Sequence, residues 1–340
     1  IAGYSETQLS ALRKQAIAGR PHILADFKTM YEGNEFYIFV YKSYPDVRLV
    51  GAPPNAIGNF GGDTDNWEWP RHTGDFSMFR VYTGPDGEPA AYSKDNIPYQ
   101  PKWYFHISMD GVKKGDFSMI MGYPGTTDRY VNSDGVKLAV DVQETAQVKV
   151  RGSKLDAMKR HMDADPVVKI KYSAKYNEIA NYWKYFIGQQ KELKDQHVAE
   201  KKQAQETQLM AWVDSDPVIK ARYGELATDL SSGYAERAKT EKASVYMEEG
   251  AFGSEAVLMG FNLYGLQMQL DQDPKDTARV GAYVARIKRS TADHWKDYDV
   301  ATDRDLTASV FQMIHADVDP GQQPDIMQMV AKKYKGNFDK

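Results

Sequence analysis

The sequence has no cysteine, which excludes thiol catalysis, disulfides and cysteine-ligated zinc within it. It has no apolar run long enough to cross a bilayer, although 42% of its 340 residues are hydrophobic. It has no excess of positive charge either. Lys and Arg number 43 against 47 Asp and Glu, a net charge of −4, so no basic surface for nucleic acid is expected. The opening run Ile1–Ala16 lacks a charged n-region, a continuous apolar core and a cleavage site, so it carries no readable address. What remains is a globular composition with 12% aromatics and a length suited to two or three domains.

Taken in order, Ser5–Ala18 reads as a helix that Ser5 can cap, with Leu9, Leu12 and Ala16 as its stripe. His22–Met30 reads as a second short helix closed at Gly33-Asn34. Glu35–Tyr44 is dense in aromatic and β-branched residues and reads as a strand, as does Val47–Gly51 before Pro53-Pro54. Further strands are expected from Asp75 onward, over Trp103–Ser108 and over Phe117–Gly122, with a turn at Thr83–Pro89. Beyond Thr127 the periodicity turns helical. Asp165-Pro166 and Asp216-Pro217 each pair an N-cap Asp with a proline at the first helical position, and Asp273-Pro274 gives a third such start. From Pro166 the stripe Val168, Tyr172, Ile179, Trp183 and Phe186 marks a buried face. The polar tract Gln189–Gln208 should extend that helix, and Ala251–Leu270 and Arg279–Lys288 suggest two more.

Within the strand-rich first part lies the most unusual stretch, Gly58–Arg80, with tryptophans, glycines, acids and a histidine in close succession. Gly61-Gly62 and Gly74 permit sharp bends. Pro70 removes a donor and pushes Trp69 out of the helical region. From Asp75 the apolar pattern predicts a strand buried on both faces, which would leave Asp75 a fixed, desolvated carboxylate. A local triad of His72, Asp75 and Ser77 is rejected. Residues two or three apart in extended chain lie roughly 6–10 Å apart, without the mutual hydrogen bond that a triad needs. Asp63, Asp65 and Glu68 lack the glycine and terminal bidentate glutamate of a calcium loop. Asp116 repeats the setting of Asp75, in GDFSM at both places, and local chemistry does not separate the two.

The run GNFGGDTDNWEWPRHTGDFSMFRVY closely resembles the signature of the bacterial dipeptidyl-peptidase 7 and 11 family, serine exopeptidases with a chymotrypsin-like double β-barrel and an inserted helical domain. DVRLVGAPP (Asp46–Pro54), MGYPGTTDRY (Met121–Tyr130) and NEIANYWKY (Asn177–Tyr185) agree with it, in order along the chain. The resemblance implies that Asp75 is the triad aspartate. It also implies that Asn66 and Trp67 line the subsite for the N-terminal end of the peptide, and that Asn181 binds the substrate's free α-amino group. A carboxamide oxygen accepts from an ammonium, and an indole face attracts a cation. On helical geometry Asn181 lies about 200° round from Ile179, off the apolar stripe.

The resulting expectation is an α+β chain. Residues 1–126 would hold leading helices and part of a chymotrypsin-like antiparallel β-barrel, with too few strands for two barrels, and residues 127–340 an incomplete, mostly α-helical cap. It would be an internal piece of a dipeptidyl peptidase, acting on peptides with a free N-terminus, needing no cofactor or metal, and inactive alone. In the family's chain order the histidine base lies upstream and the serine nucleophile downstream. The resemblance further implies a periplasmic or secreted location, with the signal upstream of Ile1, and a homodimer of the complete enzyme. Two rival readings are a non-catalytic peptide-binding module and a metal-dependent hydrolase using the acidic loop.

Overall fold

The computed structural model describes residues 6–119, 128, 130–272 and 276–338. The chain divides into two units, 1–65 with 70–122 and 66–69 with 123–340. The boundary expected at 126 and the Met121–Gly125 part of the family-like run fall outside the described residues.

The first unit opens with α1 (Glu6–Ile17), whose expected cap, Ser5, is also outside them. The chain then forms β1 (Ile23–Met30) and β2 (Glu35–Lys42), an antiparallel hairpin running in register from Ile23↔Lys42 to Met30↔Glu35. The short helix expected over 22–30 is therefore a strand. His22 has a left-handed φ of 59°, which interrupts any helix there. The aromatic and β-branched partner strand supplies the ladder that local propensity did not foresee.

β3 (Asp46–Gly51), the single-turn helices α2 (Asn55–Gly58) and α3 (Gly62–Asp65), β4 (Met78–Thr83) and β5 (Ile97–Pro98) follow. The three strands make an antiparallel sheet in the order β3-β4-β5. The expected turn at 83–89 is present, with Gly84 N donating to Glu88 O at 2.9 Å. The expected strands over 103–108 and 117–119 are irregular. The described residues form no closed barrel, only this sheet and the hairpin. β4 is not buried on both faces either: Met78, Phe79 and Arg80 are exposed, and burial is reached only at Thr83.

The second unit is helical. α4 (Ser133–Leu138) leads through a π-turn over 139–143 into α5 (Glu144–Ala164). α6 (Pro166–Asp195), α7 (Val198–Asp214), α8 (Pro217–Tyr223) and α9 (Leu226–Val245) follow. α10 (Glu255–Gln272), α11 (Thr277–Asp297), α12 (Val300–Asp317) and α13 (Ile326–Tyr334) complete it.

The aspartate starts behave as their chemistry requires. Asp165 accepts from Val167 N and Asp216 from Val218 N, both at 2.7 Å. Asp273-Pro274 lies outside the described residues, and Asp276 caps α11 instead, accepting from Arg279 N at 2.9 Å. The helix expected to run on through Gln208 breaks at His197, which has φ 52°. α7 then packs against α4, where Ser133 Oγ donates to Glu206 at 2.7 Å. The core lies where α5, α6 and α12 meet, around Val150, Tyr172, Leu306 and Ile314. Each such fully buried side chain contributes about 1.5–3 kcal/mol of apolar burial. Val168 and Tyr172 of the expected stripe belong to this core and Ile179 packs on its edge. Trp183 is held by its Nε1, which donates to Val148 O at 3.0 Å.

Candidate functional site

The tryptophan-bearing loop leaves the first unit at α3 and returns at Pro70. Its two ends are clasped in that unit. Gly74 N donates to Ile57 O at 3.0 Å, and a Cβ on Gly74 would stand 2.9 Å from Ile57 Cγ2. Thr73 Oγ1 donates to Phe60 O at 3.0 Å. Gly74 is thus required by close approach, since any larger residue would force the clasp apart.

The tip, residues 66–69, belongs to the helical unit. Asn66 Nδ2 donates to Asn181 Oδ1 at 3.0 Å, and Trp67 Nε1 donates to the Asn181 main-chain oxygen at 3.0 Å. The Trp67 ring sits 5.2 Å from that of Tyr185, tilted at 54°. Lys184 Nζ stands 3.5 Å from Glu68. Positions 181, 184 and 185 share one face of α6 because three- and four-residue steps bring side chains together on a helix. That face is distinct from the one carrying Val168 and Tyr172 into the core. Trp67 itself has a left-handed φ of 59°, a conformation that costs a bulky residue about 1–3 kcal/mol. The indole hydrogen bond and the Tyr185 contact hold it there.

Asn66, Trp67 and Asn181 are thereby brought together as one cluster. Asn181 Oδ1 accepts from Asn66 and, as a carboxamide oxygen, has capacity for a second donor. The Trp67 ring beside it remains 54% exposed, so an indole face and amide acceptors converge without a formal charge at their centre. Such a patch suits a small cation. Lys184 and Tyr185 escaped the sequence reading. Their signal was the three- and four-residue spacing from Asn181.

Asp75 lies in the other unit, three residues before β4, and is exposed. It is not the desolvated carboxylate expected there, because the start of β4 is exposed among the described residues. That environment is found instead at Asp46. Asp46 is 2% exposed and takes Arg48 Nε and Nη2 at 3.0 and 2.8 Å and Asn96 Nδ2 at 2.8 Å. Arg48 lies over the Tyr82 ring, 3.7 Å from its centroid. The bidentate guanidinium holds the Asp46 carboxyl below its ordinary value. The twin acid Asp116 is committed to its own loop, its Oδ2 accepting from Lys113 N at 2.7 Å. The Asp75 carboxylate has no hydrogen-bond or ion-pair partner among the described residues. No cluster of three His, Asp or Glu suited to a metal occurs among the described residues, and the side chains of Asp63 and Asp65 are outside that description. No described helix is long and apolar enough to cross a membrane.

Residues 3–340 match the family Peptidase S46. The chain is 39% identical over 311 residues to dipeptidyl-peptidase 7 of Porphyromonas gingivalis, covering 91% of this chain and 42% of that protein. It is 40% identical over 288 residues to the Asp/Glu-specific dipeptidyl-peptidase of Flavobacterium psychrophilum, covering 81% and 38%. The crystal structure of Porphyromonas endodontalis DPP11 in complex with the dipeptide Arg-Glu superposes with a TM-score of 0.78 at 34% identity, covering 98% of this chain and 48% of that one. The chain therefore spans less than half the length of these relatives.

Proposed function

Because the chain belongs to the Peptidase S46 family, we propose that it is part of a serine-type dipeptidyl aminopeptidase, supplying the triad aspartate Asp75 and the pocket for the peptide's free amine. The single observation that carries this reading is the cluster in which Asn181 receives both Asn66 and Trp67. The substrate ammonium would donate to Asn181 Oδ1 and lie against the Trp67 face. Neutral acceptors there favour a charged amine over a blocked one, which explains release from the N-terminus only. The sheet β3-β4-β5 and the hairpin would be part of a chymotrypsin-like barrel, and residues from about 127 on part of a helical cap domain.

In the mechanism, Asp75 would orient a histidine so that its other nitrogen takes the serine proton, and would stabilise the imidazolium formed. The serine oxygen attacks the carbonyl carbon after the second residue, the amine leaves with that proton, and water then releases the dipeptide. No cofactor enters. The exposure of Asp75 leaves its carboxylate open to such a histidine. The same resemblance carries the periplasmic or secreted location and the homodimer of the complete enzyme.

The test is Asn181→Ala in the complete enzyme. Trp67 bonds to the main-chain oxygen at 181, so the loop keeps that anchor when the side chain is removed. KM for dipeptide substrates with a free amine should rise roughly 5–150-fold, the equivalent of about 1–3 kcal/mol for a buried ammonium left short of a partner. An unchanged KM would remove the recognition role from α6.

A second reading, a peptide-binding module without chemistry of its own, is supported for the chain alone by Asn66, Trp67 and Asn181 all lying within the helical unit. In this proposal neither the base nor the nucleophile is assigned to residues 1–340. A fluorophosphonate probe should therefore leave this chain unlabelled, and stoichiometric labelling of any of its serines would overturn the division of labour proposed here.

A further inference from the structure

A cavity of about 450 Å³ lies within the helical unit, between α5, α6, α10 and α12. Met158, Ile179 and Leu306 supply apolar wall, and its volume is in the range of small-molecule sites. Its lining carries Arg151, Lys154 and Lys175 against Glu178, Glu249, Glu255 and Asp303. Glu255 is met by Lys175 Nζ at 2.6 Å, His294 Nδ1 at 3.2 Å and the Tyr172 hydroxyl at 3.0 Å. Asp303 is saturated by the backbone N–H groups of Glu255 and Ala256, both at 2.9 Å, and by the Tyr298 hydroxyl at 3.1 Å. Glu249 is paired with Arg151 Nη2 at 2.7 Å.

Lys154 is the exception. It is 5% exposed and donates one hydrogen bond, to the Glu249 main-chain oxygen at 2.8 Å. No carboxylate forms an ion pair with it among the described residues. An ammonium has three donors, so two remain in a place where an unpartnered charge is costly. Arg151 Nε is likewise buried without a partner. The room for Lys154 is made by Gly253, where a Cβ would stand 2.4 Å from Nζ. Burial pushes the Lys154 ammonium below its ordinary pKa, a shift that a bound anion would reverse.

We propose that this cavity binds a small monocarboxylate, its oxygens taken by Lys154 Nζ and Arg151 Nε and its apolar body lying along Met158, Ile179 and Leu306. The open donors of Lys154 Nζ and Arg151 Nε match the two oxygens of one carboxylate, and the four carboxylates that line the cavity against three cations disfavour a dianion. Glu178, exposed at the rim, disfavours a second negative charge on the ligand. The site is separate from the Asn66–Trp67–Asn181 cluster, so its failure leaves the proposed peptidase role untouched.

The probe is hexanoate, titrated calorimetrically into the intact chain at fixed ionic strength, with hexan-1-ol as the neutral counterpart and inorganic phosphate as the dianion. Hexanoate should bind and the other two should not. Lys154→Met should weaken hexanoate at least about tenfold, the scale of one lost charge-assisted hydrogen bond. Gly253→Ala, which displaces Nζ without removing its charge, should also weaken it and carries the test if Lys154→Met does not fold. Absence of hexanoate binding, equal binding of hexan-1-ol, preference for phosphate, or affinity unaltered by Gly253→Ala would each overturn the assignment.

Discussion

In the complete enzyme, Asp75→Asn should leave the fold and KM nearly intact and lower kcat by about four orders of magnitude, the scale on which a triad suffers when its histidine is held in the wrong tautomer. The fold should survive because Asp75 is exposed and carries no structural contact among the described residues. Asp116→Asn supplies the internal control. Its carboxylate accepts from the Lys113 backbone in its own loop, so its replacement should cost some stability and little turnover. The pair is informative because GDFSM surrounds both acids, so local sequence is matched between the two variants. Rates that fall equally in the two variants would reject Asp75 as the triad acid.

The helical half was legible because its signals are local. An aspartate followed by proline fixes a helix start from four or five residues, and Asp165 and Asp216 cap as that chemistry demands. Helical periodicity likewise set Asn181 apart from Ile179, and in the structure it meets residues 66 and 67. The strand half was harder. Whether 22–30 is a strand depends on pairing with 35–42, which no window on 22–30 contains. The exposure of Asp75 depends on which layers cover β4, a long-range fact. The same limit hid Lys154. A lysine at mid-helix reads as solvated, and nothing near it in sequence announces that Gly253, some hundred residues on, leaves a slot for its ammonium.

Glu144 is expected to give the largest pH effect on stability. It opens α5 at 5% exposure, and its Oε2 is buried with no hydrogen-bond partner. Gln147 Oε1, three residues on along the same helix, is also buried and unpartnered. Burial pushes the Glu144 carboxyl up to about 7, against the weaker opposing pull of Lys194. The folded state therefore binds this proton more tightly than the unfolded state, where the carboxyl titrates near 4.5. Its stabilising contribution is complete below about pH 4.5, is lost as pH rises toward 7, and changes no further above that. Glu144→Gln removes the titration and keeps the shape. At pH 8 the variant should be more stable than the parent by about 2–3 kcal/mol, and near pH 4.5 the two should converge. Carboxyls held low in the same unit, such as Asp305 and Asp317, bend both curves alike at acid pH, so the difference between the proteins isolates Glu144. Urea unfolding at pH 5, 6, 7 and 8 measures it. Parallel curves across that range would show that Glu144 ionises in the folded chain as readily as in the unfolded one.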